Sequence, residues 1–189
     1  MIASRLPHMT AVEYLEWEKT QEMRHEYGSK DIYAMTGGSK AHNTITGNLF
    51  TEIRAHLRSG PCQTFFSDVK VQISAEGPFF YPDLLVTCNE QDNQPGYTVE
   101  HPCLIVEVLS PSTEAGDRGS KFRYYRRLNA LQEYVLIDSQ EMSVECFRRP
   151  ATLSTWSYEA YSSGDVVKLE SIDLDVPMNR LYAEVQFES

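Results

Sequence analysis

Between residues 39 and 57 the chain carries Ile45, Leu49, Ile53 and Leu57, apolar side chains recurring every four positions among polar ones. That period lays one apolar stripe along an α-helix, and Gly60-Pro61 stops it. Upstream, Thr10 with Glu13 forms a capping box, which predicts a short helix to residue 22 with Val12, Leu15 and Trp17 as its apolar contacts. Residues 24–35 alternate loosely around a polar centre at 28–31 and read as a hairpin, ended by Gly37 and Gly38. Phe66, Val69, Val71 and Ile73 mark an imperfectly alternating strand over 64–74, and Glu76-Gly77-Pro78 turns it into a second strand over 79–86. The polar stretch 89–101 reads as a surface loop.

Residues 104–109 are continuously apolar apart from Glu107, the pattern of a strand at the centre of a sheet. A helix over 117–129 and a strand over 133–138 follow, so this passage makes a right-handed crossover if its two strands pair in parallel. Further strands are expected at 143–149 and within 156–169, around Ser162-Ser163-Gly164. The order predicts an α+β (α/β) domain with a central mixed β-sheet flanked by helices. Residues 1–9 form an N-terminal extension, 10–182 a single domain and 183–189 a C-terminal tail.

Two acids break the apolar pattern: Asp83 and Glu107 each lie inside a core strand. Buried carboxylates need a cation or another partner. Asp83 follows Pro82, whose missing N–H interrupts a ladder or places it at an edge, and irregular backbone is a common way to expose a carboxylate. Hard oxygen ligands suit Mg²⁺ or Mn²⁺, which keep several waters for a substrate phosphate. The helix after Glu107 bears Lys121, a residue able to orient or deprotonate water and to stabilise charge on phosphate. Arg118, Lys121 and Tyr125 fall on one face of that helix.

Quieter readings exist for each. Asp83 caps a turn after Pro82; Glu107 pairs with Lys121 or Arg118 without a metal; Lys121 and the neighbouring arginines form a solvated face. His42, early in the second helix, either reaches a cleft or serves as a surface residue, and Tyr124, Tyr125, Tyr134 and Trp156 pack the core rather than stack on bases.

Composition narrows the choice. A chain of 189 residues with 41% hydrophobic content supports one globular domain. The net charge of −10 argues against a surface that binds polyanions everywhere. Residues 150–189 hold seven acids and two bases, a solvated exterior without calcium-loop spacing, whereas 117–127 hold one acid and five bases, a local basic element just after Glu107. The first ten residues lack a basic and apolar leader pattern, and no apolar run approaches the ~18 residues of a membrane span, so a soluble, cytoplasmic protein without a membrane partner is expected. The four cysteines are isolated, which favours buried free thiols over disulfides or zinc.

The ordered set Tyr81-Pro82-Asp83, the stretch 104–113 around Glu107, Asp117 to Lys121 with Tyr124 and Tyr125, and the strand 133–138 resembles the Uma-two family of putative restriction endonucleases, within the PD-(D/E)xK nuclease superfamily. Tyr14-Leu15, Arg24 to Glu26, 32–35, Gly38-Ser39 and His42-Asn43 extend the likeness, which covers roughly residues 10–182. The resemblance implies a restriction-endonuclease-like core and a Mg²⁺- or Mn²⁺-dependent endonuclease acting on DNA. It implies Asp83 and Glu107 as metal ligands with the carbonyl of Val108 as a further one, Glu26 joining from an upstream element, and Lys121 in place of the motif lysine, whose own slot holds Leu109. His42, Arg118 and Tyr125 are accessory candidates. A homodimer is expected, since an acidic protein needs a focused basic groove or a dimer to approach DNA. Gly28 to Asp31 departs from the family's usual acidic turn. The absent motif lysine and the net charge motivate a second reading, a catalytically inactive module that binds nucleic acid or a protein partner. A third is a metal-free hydrolase using Asp83 and Glu107 as an acid/base pair.

Overall fold

A computed structural model describes residues 9–28, 31–35, 37–150 and 155–187. The first eight residues of the expected N-terminal extension, the middle of the turn at 28–31 and the last two residues of the tail lie outside these. The expected capping box opens α1 (Ala11–Glu18), with Thr10 accepting from the Glu13 N–H and the Glu13 carboxylate accepting from Thr10. The hairpin is β1 (His25–Tyr27) against β2 (Ile32–Ala34). Ser39 caps α2 (Lys40–Leu57), whose Ile45, Leu49 and Ile53 are buried as their spacing requires.

The expected strand over 64–74 is two strands, β3 (Gln63–Phe66) and β4 (Lys70–Gln72), separated at Ser67, whose φ of +60° ends the extended run. The next expected strand is also divided. β5 (Phe79–Phe80) and β6 (Leu84–Thr87) flank Tyr81, Pro82 and Asp83, where the proline withdraws a ladder donor. The stretch 89–101 carries a short 3-10 turn and β7 (Thr98–Val99). β8 (Pro102–Leu109) is buried along its whole length.

The following helix begins earlier than expected. It runs as α3 (Glu114–Gly116), a π turn (Asp117–Lys121) and α4 (Phe122–Tyr125). β9 (Glu133–Asp138), β10 (Ser143–Arg148), β11 (Ser157–Ser162) and β12 (Val166–Leu169) come next, and two elements unforeseen from the pattern close the chain, β13 (Leu174–Pro177) and α5 (Met178–Leu181).

Two mixed sheets result, in the orders β2-β1-β5-β4-β7 and β11-β10-β9-β8-β6-β3, with a β12-β13 ribbon beside them. β8 and β9 pair in parallel, the arrangement the crossover requires. Side chains alternate along β8: Leu104, Val106 and Val108 join α2 and α5 in one core, while Ile105 and Leu109 pack in another with Tyr125, Leu128 and Tyr134. Glu107 shares the parity of Ile105 and Leu109.

The expectation of free thiols holds for Cys103 and Cys146 and fails for Cys62 and Cys88, which form a disulfide. Antiparallel pairing of Gln63 with Thr87 brings the flanking Cys62 and Cys88 side by side, Cα atoms 4.0 Å apart. Strand register therefore makes a bond that spacing along the chain does not signal. Burial pushes the Cys103 thiol up to about 11 and raises that of Cys146 as well. At pH 8 a thiol reagent should accordingly find no rapidly reacting cysteine in the folded protein. Unfolding should expose two thiols without reductant and all four with it. Four thiols in the unreduced, unfolded chain would remove the disulfide.

Candidate active site

Antiparallel register brings the two distant acids together. Leu84 lies opposite Val106, so Asp83, one residue earlier, runs alongside Glu107, one residue later. The Val108 N–H donates to Asp83 Oδ2 at 2.7 Å, and His42 Nε2 lies 3.2 Å from the same oxygen. Burial opposes protonation of His42, but the hydrogen bond and charge of Asp83 outweigh it, with Asp117 and the Val108 carbonyl adding, and its pKa is raised. His42, Asp83 and both backbone polar groups of Val108 thus form one cluster.

Lys121 is the hub of a second. Its ammonium lies 2.9 Å from Glu26, 3.2 Å from Glu107 and 3.2 Å from Asp117. The Tyr125 hydroxyl donates to Glu107 at 3.0 Å, and the Tyr134 hydroxyl donates to the Asp117 carbonyl. Burial drives the Glu107 carboxyl well above the usual carboxylate range; Lys121 opposes that, while Asp117, Asp83 and Glu26 add to it. For Lys121, burial favours the neutral amine, but Glu107, Glu26 and Asp117 win and hold its pKa well above the usual lysine value.

The structure brings together Asp83, Glu107, Lys121, Glu26, Val108, His42 and Tyr125. Arg118 stays outside, bonded to Glu114 and Glu145 on the exposed side of the helix. The π turn explains this: each of its residues rotates less about the axis than in an α-helix, so Arg118 is no longer on the face of Lys121. The Glu107–Lys121 ion pair expected if Glu107 serves a structural role is present, within a cluster holding more acids than bases.

Asp117 is the site residue that the sequence reading passed over. It is 2% exposed, and its Oδ1 lies within ion-pair distance of Lys121 but has no aligned hydrogen-bond donor among the described residues. Its position four residues before Lys121 was the available signal. A supporting network also went unread. Glu18, 2% exposed, accepts from the Tyr81 hydroxyl at 3.0 Å and the His25 N–H at 2.9 Å, and Lys70 donates to the same hydroxyl. The Tyr81 N–H in turn donates to Glu26 at 3.1 Å, so this network fixes β1 and the Tyr81-Pro82-Asp83 passage to each other.

Glu26, His42, Asp83, Glu107, Asp117 and Lys121 line a cleft of 440 Å³. Among the described residues no group of three or more His, Cys, Asp or Glu forms a ready-made metal cage. The donor set nevertheless fits a hard divalent cation, which uses one or two carboxylates and keeps its waters. Glu26, Asp83, Glu107 and Asp117 outnumber Lys121 and His42, and Asp117 Oδ1 lacks an aligned donor.

The fold is nuclease-like. A solved structure described as a putative nuclease belonging to DUF820, from Anabaena variabilis, matches with a TM-score of 0.76 over 94% of this chain and 99% of its own, at 18% identity. A family model named Uma2 and described as a putative restriction endonuclease matches residues 11–178, and the chain belongs to that family. Two uncharacterized proteins from Synechocystis sp. are similar. One, slr1290, is 39% identical over 96% of this chain and 95% of its own. The other, sll1609, is 34% identical over 79% and 85%. No helix among the described residues is long and apolar enough to cross a membrane.

Proposed function

We propose that the protein is a divalent-metal-dependent endonuclease that hydrolyses phosphodiester bonds in DNA, with Mg²⁺ or Mn²⁺ held by Asp83 and Glu107. The observation that carries this reading is the convergence of those two carboxylates, Glu107 from β8 and Asp83 from the passage that leads into β6, in a cleft whose acids outnumber its bases. Bound there, the cation supplies a Lewis acid that makes water a competent nucleophile at neutral pH and takes up charge on the phosphate. Val108 offers its carbonyl beside Asp83. Its N–H and His42 orient the Asp83 carboxylate. Tyr125 holds Glu107 by its hydroxyl.

Lys121 enters as an ammonium bracketed by Glu26, Glu107 and Asp117, a fixed positive charge for the phosphate oxygens. The helix supplies this lysine although the usual motif slot holds Leu109, and its ammonium beside Glu107 supports an active site over an inactive module. Titration calorimetry with Mn²⁺ and Mg²⁺ should show binding in the wild-type protein and none in Asp83→Ala or Glu107→Ala. In parallel, both variants should lose Mg²⁺-dependent cleavage of DNA. Full, metal-dependent cleavage by either purified variant would overturn the reading.

A further inference from the structure

One wall of the cleft is aromatic. Phe66, the last residue of β3, is 51% exposed and meets Phe50 of α2 with ring centroids 4.5 Å apart. Both rings line the same cavity as Asp83 and Glu107. The backbone beside Phe66 is fixed in place: Ser67, at a φ of +60°, takes a left-handed conformation that costs energy for a residue other than glycine. Its N–H donates to the carbonyl of Asp83 at 3.2 Å, and the Asp68 N–H returns to the Phe66 carbonyl at 2.8 Å. Phe66 is thereby tied, through one strained residue, to a proposed metal ligand. Gly47, one helical turn before Phe50, lines the cleft too, and a Cβ there would meet nothing within 4 Å. Packing does not demand glycine at this helical position, and glycine is a poor helix former. Its presence leaves that stretch of the cleft wall without a side chain.

Charge and size decide what such a wall would serve. The cations among the described cleft residues are Lys121 and His42, and Lys121 is already shared by three carboxylates. Proteins that grip duplex DNA draw their affinity from rows of Lys and Arg on phosphates; this cleft has no such row among its described residues. Its 440 Å³ is the scale of a single small-ligand pocket, room for one nucleotide and not for a double helix. Stacking on an aromatic ring is the affinity that this wall can supply, and it serves any base, since every base has a π face.

We propose that Phe66, backed by Phe50, is a stacking platform for an unpaired nucleobase. The nucleic-acid strand enters the cleft single-stranded or with one nucleotide turned out of its helix, its adjoining phosphate lying over Asp83 and Glu107. The placement of the phosphate rests on the nuclease reading; the stacking does not. The test is fluorescence titration of a short single strand containing 2-aminopurine, and of the same sequence closed into a hairpin duplex. Both are titrated with Ca²⁺ present into wild-type protein, Phe66→Ala, Phe66→Tyr and Phe50→Ala.

Wild-type protein should quench the single strand and bind it at least about tenfold more tightly than the duplex, while Phe66→Ala should bind it about 5- to 150-fold more weakly. Phe66→Tyr should restore binding. Unchanged Mn²⁺ binding by Phe66→Ala shows that its site is folded, and Phe50→Ala replaces it if that control fails. Equal affinity for duplex and single strand, or wild-type affinity in the folded alanine variant, would overturn the platform. Stacking without any cleavage once Mg²⁺ or Mn²⁺ replaces Ca²⁺ would sink the nuclease reading and leave the platform standing; cleavage under those ions with unchanged binding in Phe66→Ala would do the reverse.

Discussion

Lys121→Met should lower stability by about 3–5 kcal/mol, the usual penalty for stripping a buried charge cluster of its counter-charge. Methionine reproduces most of the lysine stem and none of its charge. Glu26, Glu107 and Asp117 would then face one another in the interior, where each now lies within 3.2 Å of the ammonium. For a chain of this size such a loss lowers the melting temperature by roughly 6–20 °C. Mn²⁺ should recover part of it, because a divalent cation beside Glu107 supplies the missing positive charge. Scanning calorimetry with and without Mn²⁺ reads both effects. A loss below about 1 kcal/mol would show that solvent, not this lysine, balances the acids.

The opposite change at the same ion pair should act in the opposite direction. Glu107→Gln keeps the shape of the side chain and an acceptor for the Tyr125 hydroxyl, and removes a charge whose burial is costly. Burial is the leading cause of the raised Glu107 pKa, and three neighbouring acids add to it against Lys121. Lys121 would retain Glu26 and Asp117. The metal-free variant should therefore be as stable as the wild type or more stable by about 1–2 kcal/mol. Its Mn²⁺ affinity should drop by about a hundredfold or more, since even residues behind a ligand command up to that factor. Melting curves in EDTA and titration calorimetry check the two halves separately. Strong destabilisation, or wild-type Mn²⁺ affinity, would mean that Glu107 serves as a structural partner of Lys121 and little else.

The parts of this site that were legible in the sequence were those where a local rule is broken. An acid within the apolar run of β8 and a proline inside an apparent strand are local conflicts, and both mark the cleft. The helices were legible from capping at Thr10 with Glu13 and from period at Ile45, Leu49 and Ile53, although α1 stops at Glu18 rather than at 22 and leaves Val12 exposed. Asp117 was hidden because, in sequence, it is one acid beside five bases and reads as part of a solvated face. Burial of that face depends on the tilt of the helix against β8 and β9, which no window of neighbouring residues reports. The same holds for the π turn that carries Arg118 outward, and for the disulfide, whose partners meet through the register of β3 and β6. Beyond its β1–β2 hairpin the five-stranded sheet was illegible for a related reason: strands of two or three residues carry too little pattern to announce their partners.

The passage Tyr81-Pro82-Asp83 joins β5, in the five-stranded sheet, to β6, in the six-stranded one. The charged groups of the cleft divide along the same line, Glu26 riding on the smaller sheet and Glu107 on the larger, with Asp83 at the crossing. Their spacing is therefore a gauge of how the two sheets are seated on each other. A slip of a fraction of an ångström between the sheets would pull the carboxylates apart while leaving each sheet folded. A cation gripped by them would work as a rivet, making the seam between the sheets the place where chemistry and mechanical integrity are joined.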